Sequence, residues 1–357
     1  MNTNQEEREV IRLIKEKFHR ETDAVAWSPD GKSIATTGLS MEVIIWDADS
    51  LSIRHKMNQG YKGRGFDNIT FSPDSRYLAS GLSTVNIWNV VDGSHHMTLV
   101  APHVTPGKPQ RIGIKSLRYS PDGKMLTVIY DGDKPIVIAY HTSDGKIAWS
   151  YEPKRAFEPE RKGGPMITTP LVFTPDGKYV ILSAIEYGSE DLNLQRFTRI
   201  LLLDAKSGKL LRSIDDIHVE AATALAVSPD GKWLATGTST GWKTQTDNRK
   251  AHQVVTVDNK DPVRIWDLET GKLVRELPVF SKVWYLAFSR DGKRLFGAKD
   301  EVKTHLTLAV WDVASGKMVQ EVKSNPGPTI LAVSSDGRQL AAAYEAGISV
   351  YEIATSD

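Results

Sequence analysis

Short apolar, β-rich runs alternate with short polar clusters along almost the whole chain. Ala24 to Trp27 leads into Ser28-Pro29-Asp30-Gly31 and then Ser33 to Thr37, and Leu286 to Phe288 leads into Ser289-Arg290-Asp291-Gly292. The same cluster returns as Ser72-Pro73-Asp74-Ser75, Ser120-Pro121-Asp122-Gly123, Thr174-Pro175-Asp176-Gly177, Ser228-Pro229-Asp230-Gly231 and Ser334-Ser335-Asp336-Gly337, seven copies in all. An apolar run on each side of a four-residue polar cluster predicts a β-hairpin. Pro presets φ at the second turn position, Asp hydrogen-bonds its own backbone, and Gly takes the φ > 0 position that closes the turn. These aspartates therefore read as turn residues, not as catalytic carboxylates.

Two further signals keep phase with this turn. A third run ends in Trp and a polar residue, as Ile45-Trp46-Asp47, Ile87-Trp88-Asn89, Ile265-Trp266-Asp267 and Val310-Trp311-Asp312. A second tight turn follows, as Ser143-Asp144-Gly145-Lys146, Lys206-Ser207-Gly208-Lys209, Glu269-Thr270-Gly271-Lys272 and Ala314-Ser315-Gly316-Lys317, leading into a fourth run such as Leu210 to Ile214. Four strands per repeat, seven times over, with a Trp-Asp signature, resembles the WD40-repeat family over nearly the whole length. The resemblance implies an all-β fold: a seven-bladed β-propeller with four antiparallel strands per blade. The expected blades span Ala24 to Met57, Asn68 to Val100, Ser116 to Tyr151, Leu171 to Ile214, Thr223 to Leu277, Trp284 to Val322, and Thr329 to Glu352. Blade 3 ends its third strand Ala139-Tyr140-His141, blade 4 has Leu203-Asp204, and blade 7 ends Val350-Tyr351-Glu352, all without the Trp. The family's Gly-His, whose imidazole joins a tetrad with Asp, Ser or Thr, and Trp, is matched in position by His218 and nearly by His19, and is missing from the other five repeats.

Blade 7 stops before a fourth strand. Val10 to Phe18 has helix-forming residues at helical spacing, yet a ring of blades leaves two open edges unless its ends meet. The expectation is that about residues 10–17 pair beside Ile348 to Glu352 and close a single domain spanning residues 1–357.

The turn residues stand at 28, 72, 120, 174, 228, 289 and 334, giving intervals of 44, 48, 54, 54, 61 and 45 residues. Since both tight turns keep nearly constant length, the excess falls between strands two and three or between blades, and those connections share one face. Loops on a rigid scaffold concentrate binding groups, so this top face is the expected interaction surface. Its inserts are Asn58 to Asp67, with Tyr61, Lys62, Arg64 and Phe66; Ala101 to Lys115, with His103, Lys108 and Arg111; and Glu152 to Thr169, a proline-punctuated loop with Arg155 and Phe157. Tyr187 to Arg196 and Ser239 to Asp261 complete the set. In the last, Val254 to Val257 and Val263 to Ile265 read as upward extensions of strands two and three. Together the inserts carry a small excess of Lys and Arg over Asp and Glu.

Trp46, Trp88, Trp266 and Trp311 fill the repeat position, and Trp27, Trp149 and Trp233 fall in strands. Two tryptophans do not fit. Trp242 lies in the blade 5 insert, and Trp284 starts blade 6 beside Tyr285 and near Phe280. With Lys243, Arg249 and Lys282 they are the residue types that dominate interface energetics, or else a small satellite core holding the insert. Nearer the axis, the residue two before each turn Ser or Thr is Ala26, Thr70, Arg118, Val172, Ala226, Ala287 or Ala332. Arg118 breaks a series of small residues, and reads either as a channel group for an anion or water network or as half of an ion pair.

Composition changes this picture little. At 357 residues with 40% apolar content the chain can bury a large core, and a formal charge of +1 argues against a wholesale electrostatic partner such as duplex nucleic acid or an anionic membrane surface. Zero cysteines remove disulfides, thiolate metal sites and cysteine nucleophiles. No stretch approaches about 18 apolar residues, and Met1 to Glu9 lacks the apolar core of a signal peptide, so the expected location is the cytoplasm and no membrane partner is expected. Gly237-Thr238-Ser239-Thr240-Gly241 matches a nucleophile elbow, but no helix follows it. The nine histidines show no metal-binding spacing, and His95-His96 sit in one strand, where neighbours face opposite ways. Asp144 to Trp149 resembles a repeat of quinone-cofactor propellers in one blade only. The expectation is a non-enzymatic scaffold without cofactor or metal, binding a protein or peptide on its top face. The alternatives are a lactonase- or lyase-like propeller enzyme with a channel-mouth site, and a single-stranded nucleic acid binder using the basic aromatic loops.

Overall fold

The computed structural model describes residues 11–18, 22–38, 42–58, 69–102, 113–131, 135–153, 166–167, 171–187, 196–215, 222–238, 262–279, 283–301, 305–323, 330–344 and 347–354. They form seven antiparallel sheets, which are the seven blades of a β-propeller. From channel to rim, blade 1 has Thr22–Trp27, Ser33–Gly38, Glu42–Asp47 and Ile53–Asn58, and blade 2 has Ile69–Phe71, Tyr77–Gly81, Val85–Asn89 and His95–Leu99. Blade 3 has Gly113–Tyr119, Met125–Asp131, Ile136–His141 and Ile147–Tyr151. Blade 5 has Ala222–Val227, Trp233–Thr238, Val263–Asp267 and Leu273–Leu277, and blade 6 has Val283–Phe288, Arg294–Glu301, His305–Asp312 and Met318–Lys323.

Blade 4 departs in one respect. Its inner strand is in two pieces, Met166–Ile167 and Val172–Phe173, both paired to the long second strand Tyr179–Tyr187, which in turn pairs with Arg196–Asp204 and then Leu210–Ile214. The segment read from sequence as loop up to Thr169 thus contains a short strand.

The ring closes as expected. Ile11–Phe18 lies antiparallel to Gly347–Ile353 as the outer strand of blade 7, whose inner strands are Ile330–Val333 and Gln339–Tyr344. Helical spacing in this segment loses because the strand satisfies an edge and buries Ile11, which is 2% exposed. The Ile11 N–H donates to Gln320 Oε1 at 2.8 Å and the Ile11 carbonyl accepts from Gln320 Nε2 at 2.9 Å, so the closing strand is also bonded to blade 6.

The apolar core lies between neighbouring blades. Ala79, Ile87, Leu117 and Tyr140 join blades 2 and 3; Ile129, Trp149, Leu182 and Leu203 join blades 3 and 4; Phe296, Val310, Leu340 and Ile11 join blades 6 and 7. Each sheet therefore buries both faces, which is why its middle strands read as almost unbroken apolar runs.

In all seven inner turns the Ser or Thr hydroxyl donates to the Asp carboxylate. In blade 1 that bond is 2.6 Å, the Lys32 N–H donates to the same oxygen at 3.0 Å, and the Ser33 N–H donates to Ser28 Oγ at 2.9 Å. Where blade 2 has Ser75 in place of Gly, the residue sits at φ 61° and its hydroxyl accepts the Asp30 N–H of blade 1 at 2.9 Å, a contact that offsets the left-handed strain.

Three of the four repeat tryptophans are locked by a polar residue on the second strand, two positions past their cross-strand partner. Trp46 Nε1 donates to Thr36 Oγ1 at 2.8 Å, Trp88 to Ser80 at 2.9 Å, and Trp266 to Thr236 at 2.9 Å. In blade 6 that position is Gly297, whose Cβ would stand 2.7 Å from the Trp311 ring, and the buried Trp311 Nε1 has no acceptor among the described residues. Blade 3 substitutes a pair of phenols, Tyr130 and Tyr140, with hydroxyls 3.0 Å apart; burial pushes the Tyr140 hydroxyl up to about 12. Blade 4 replaces the polar pair with the buried Leu203 and Leu182.

Candidate interaction face and central channel

Each inner strand runs from the top face, where blades are joined, down to the tight turn beneath. Near the top of four of them one extra residue is inserted. The register slips between Thr22 and Ala24, Ile114 and Ser116, Ala222 and Ala224, and Val283 and Tyr285, so Asp23, Lys115, Thr223 and Trp284 are the bulged residues of blades 1, 3, 5 and 6. A bulge leaves its extra residue out of the ladder and re-aims the side chain, and it is frequent beside functional sites. Trp284 is 42% exposed, in contrast to Trp46, Trp88, Trp266 and Trp311, all buried in blade cores. The Thr223 hydroxyl donates to the Val283 carbonyl at 2.9 Å, fixing the backbone immediately before Trp284. Tyr285, the next residue, packs against the blade cores and lines the channel.

Of the residues singled out from sequence, the structure thus places Trp284, Tyr285 and Arg118. Tyr61, Arg64, Arg155, Phe157, Trp242, Lys243, Arg249 and Phe280 lie outside the described residues, as do His19, His218 and the expected strand extension Val254 to Val257. The bulges were missed by sequence reasoning. They are differences in pairing between two strands, and nothing in the one-dimensional pattern around Thr223 or Trp284 announces an unpaired position.

Four basic side chains described at the top of the blades face carboxylates. Lys56 faces Glu42 at 3.7 Å, Lys115 faces Asp131 at 3.3 Å, Arg199 faces Asp215 at 3.1 Å, and Arg264 faces Glu276 at 2.9 Å. On the opposite face the carboxylates are occupied by the turns themselves. The Ser120 hydroxyl holds Asp122 below the ordinary carboxylate value, the Ser207 hydroxyl does so for Asp204, and the Thr270 N–H for Asp267. A carboxylate stabilised in this way is a poor general base. His95 and His96 point to opposite sides of their strand as expected, His95 edge-on to Trp88 at 5.4 Å and His96 against Tyr77 at 4.6 Å. Among the described residues no group of three or more His, Asp or Glu is placed to hold a metal ion, and no helix is long and apolar enough to cross a membrane.

Arg118 lines a recess of about 310 Å³ on the channel, with Val172, Ala226 and Ala287 from the equivalent positions of the next three blades. Its Nη1 donates to the Leu117 carbonyl at 2.8 Å. Two larger clefts lie between neighbouring blades on the turn face. One of about 740 Å³ runs between the inner turns of blades 4 and 5, and one of about 620 Å³ between those of blades 2 and 3.

Comparison with known proteins agrees with this geometry. The repeat pattern described as WD40, "WD domain, G-beta repeat", matches residues 17–47 and 208–243. The chain is similar to Protein HIR1 from two strains of Cryptococcus neoformans var. neoformans serotype D, in each case 33% identical over 120 residues, which is 32% of this chain and 13% of that protein. It is similar also to Protein HIR1 of Mycosarcoma maydis, 29% identical over 123 residues, or 33% of this chain and 12% of that protein. The chain therefore spans a small part of the length of these relatives. With seven four-stranded blades and an indole locked by a hydroxyl in blades 1, 2 and 5, the chain is a seven-bladed β-propeller in which two segments match the WD40 repeat.

Proposed function

We propose that this propeller is a non-enzymatic scaffold that docks a protein or peptide partner on its top face, with Trp284 as an anchor at the channel mouth. The observation that carries the reading is the inner-strand bulge of blade 6, which turns a half-exposed tryptophan out of the ladder while the repeat tryptophans stay buried. A rigid aromatic on a fixed backbone gives a large contact area at low entropic cost, and residues of this kind dominate interface energetics. Blades 5 and 6 hold it from both sides, through the Thr223–Val283 bond and the pairing of Tyr285 with Ala298.

The ion pairs at the tops of the blades favour a protein surface over a nucleic acid strand. Four basic side chains there already face carboxylates, and phosphate recognition needs cations that are not spoken for. The test is affinity capture from the native host with wild-type protein and Trp284→Ala side by side, followed by direct titration of the captured partner at two salt concentrations. The reading expects capture to be lost in Trp284→Ala and affinity to change little with salt. A steep fall of log affinity with log salt would assign the partner to nucleic acid instead.

A further inference from the structure

We infer that the central channel binds a small oxyanion, phosphate or carboxylate in type, through the guanidinium of Arg118. The seven inner strands place equivalent residues around the channel, and six of them are Ala26, Thr70, Val172, Ala226, Ala287 and Ala332. Blade 3 alone puts a long cation there. Among the described residues the Arg118 guanidinium makes one hydrogen bond, to the Leu117 carbonyl, and none of the ion pairs includes it. No carboxylate lines the recess, whose walls are Tyr119, Val172, Phe173, Ala226, Ala287 and Phe288 with their neighbours.

Arg118 is partly buried, and beside the Leu117 bond its guanidinium keeps further N–H donors to offer an anion. Its planar fork matches two oxygens of a phosphate or carboxylate, and apolar walls strengthen that attraction over its value in water. The recess lies within the roughly 300–1,000 Å³ typical of ligand pockets, room enough for an ion such as phosphate. This site lies in the channel and does not rest on the top-face reading.

The test uses the full chain. Inorganic phosphate is titrated calorimetrically into the wild type and Arg118→Ala at constant ionic strength, with sodium chloride as the balancing salt. Four blades already carry Ala at this position, so the variant fits the fold. One saturable site is expected in the wild type, weakened at least tenfold in Arg118→Ala, with phosphate raising the melting temperature of the first and not of the second. Should Arg118→Ala fail to fold, Arg118→Gln, neutral and of similar length, is expected to lose the site in the same way. Sodium acetate run in parallel separates the sources: tighter phosphate binding supports a phosphate-type ion, tighter acetate binding an acidic side chain reaching in. No saturable heat from either anion with folded wild type, or equal binding by the neutral variants, would overturn the assignment.

Discussion

The Thr223 hydroxyl of blade 5 donates a 2.9 Å hydrogen bond to the Val283 carbonyl of blade 6. Thr223 and Trp284 are the extra residues of equivalent inner-strand bulges, so this bond runs from one bulge to the residue preceding the next. Blade packing and bulge geometry together set where Trp284 projects. Removing the hydroxyl in Thr223→Val should cost about 1 kcal/mol of stability, and should weaken partner binding by a smaller factor than loss of the indole itself. Thermal melting and titration of the same sample measure both.

Closure of the ring rests on Ile11–Phe18. Deleting residues 1–18 exposes the Gly347–Ile353 strand as an open edge and removes the Ile11–Gln320 bonds, so stability should fall by several kcal/mol and aggregation should rise. Chemical denaturation with light scattering reports both. An unchanged midpoint would show that blade 7 does not need its fourth strand.

The locked tryptophans give a comparison within one chain. In blade 1, Thr36→Val strands the buried Trp46 N–H and should cost about 1–3 kcal/mol. In blade 6 the Trp311 N–H has no acceptor among the described residues, so the polar part of the loss in Trp311→Phe should be near zero and the remainder a packing cost. Trp46→Phe should therefore destabilise more than Trp311→Phe when both are measured by denaturant titration.

The turn aspartates set the acid limit. Hydrogen bonds from Ser120 and Ser334 lower the folded-state values of Asp122 and Asp336 below the ordinary 3.8, as turn donors do for Asp204 and Asp267. A group whose folded value is depressed contributes stability that is fully present above its unfolded value and is lost as pH falls through the folded one. The melting temperature should therefore be flat on this account from neutral pH to about 5 and drop below about 4, where these carboxylates begin to protonate. Asp122→Asn should flatten part of that acid drop.

What could be read in the chain beforehand follows from the range of the interactions involved. Ser28-Pro29-Asp30-Gly31 and its relatives announce themselves because a turn is closed by its own four or five residues, and counting back from each turn locates Arg118 in the ring of inner-strand positions. The closing strand was legible by elimination, since blade 7 lacked a partner. The unpaired positions of Thr223 and Trp284 were not, because a bulge belongs to the register between two strands. The extra piece of blade 4 at Met166–Ile167 was hidden for a related reason: its pairing with Ala184 and Ile185 is set by the length of the opposite strand and by nothing local.

The central claim is that the top face docks the partner through Trp284. Its most direct test is partner affinity and melting temperature measured together in Trp284→Ala and in the double variant Lys146→Ala, Lys272→Ala, which alters only the opposite turns. The account predicts that Trp284→Ala loses roughly 2 kcal/mol or more of binding with a nearly unchanged melting temperature, and that the lysine variant binds like the wild type. Full binding by Trp284→Ala together with loss in the lysine variant would place the partner on the other face and contradict the account.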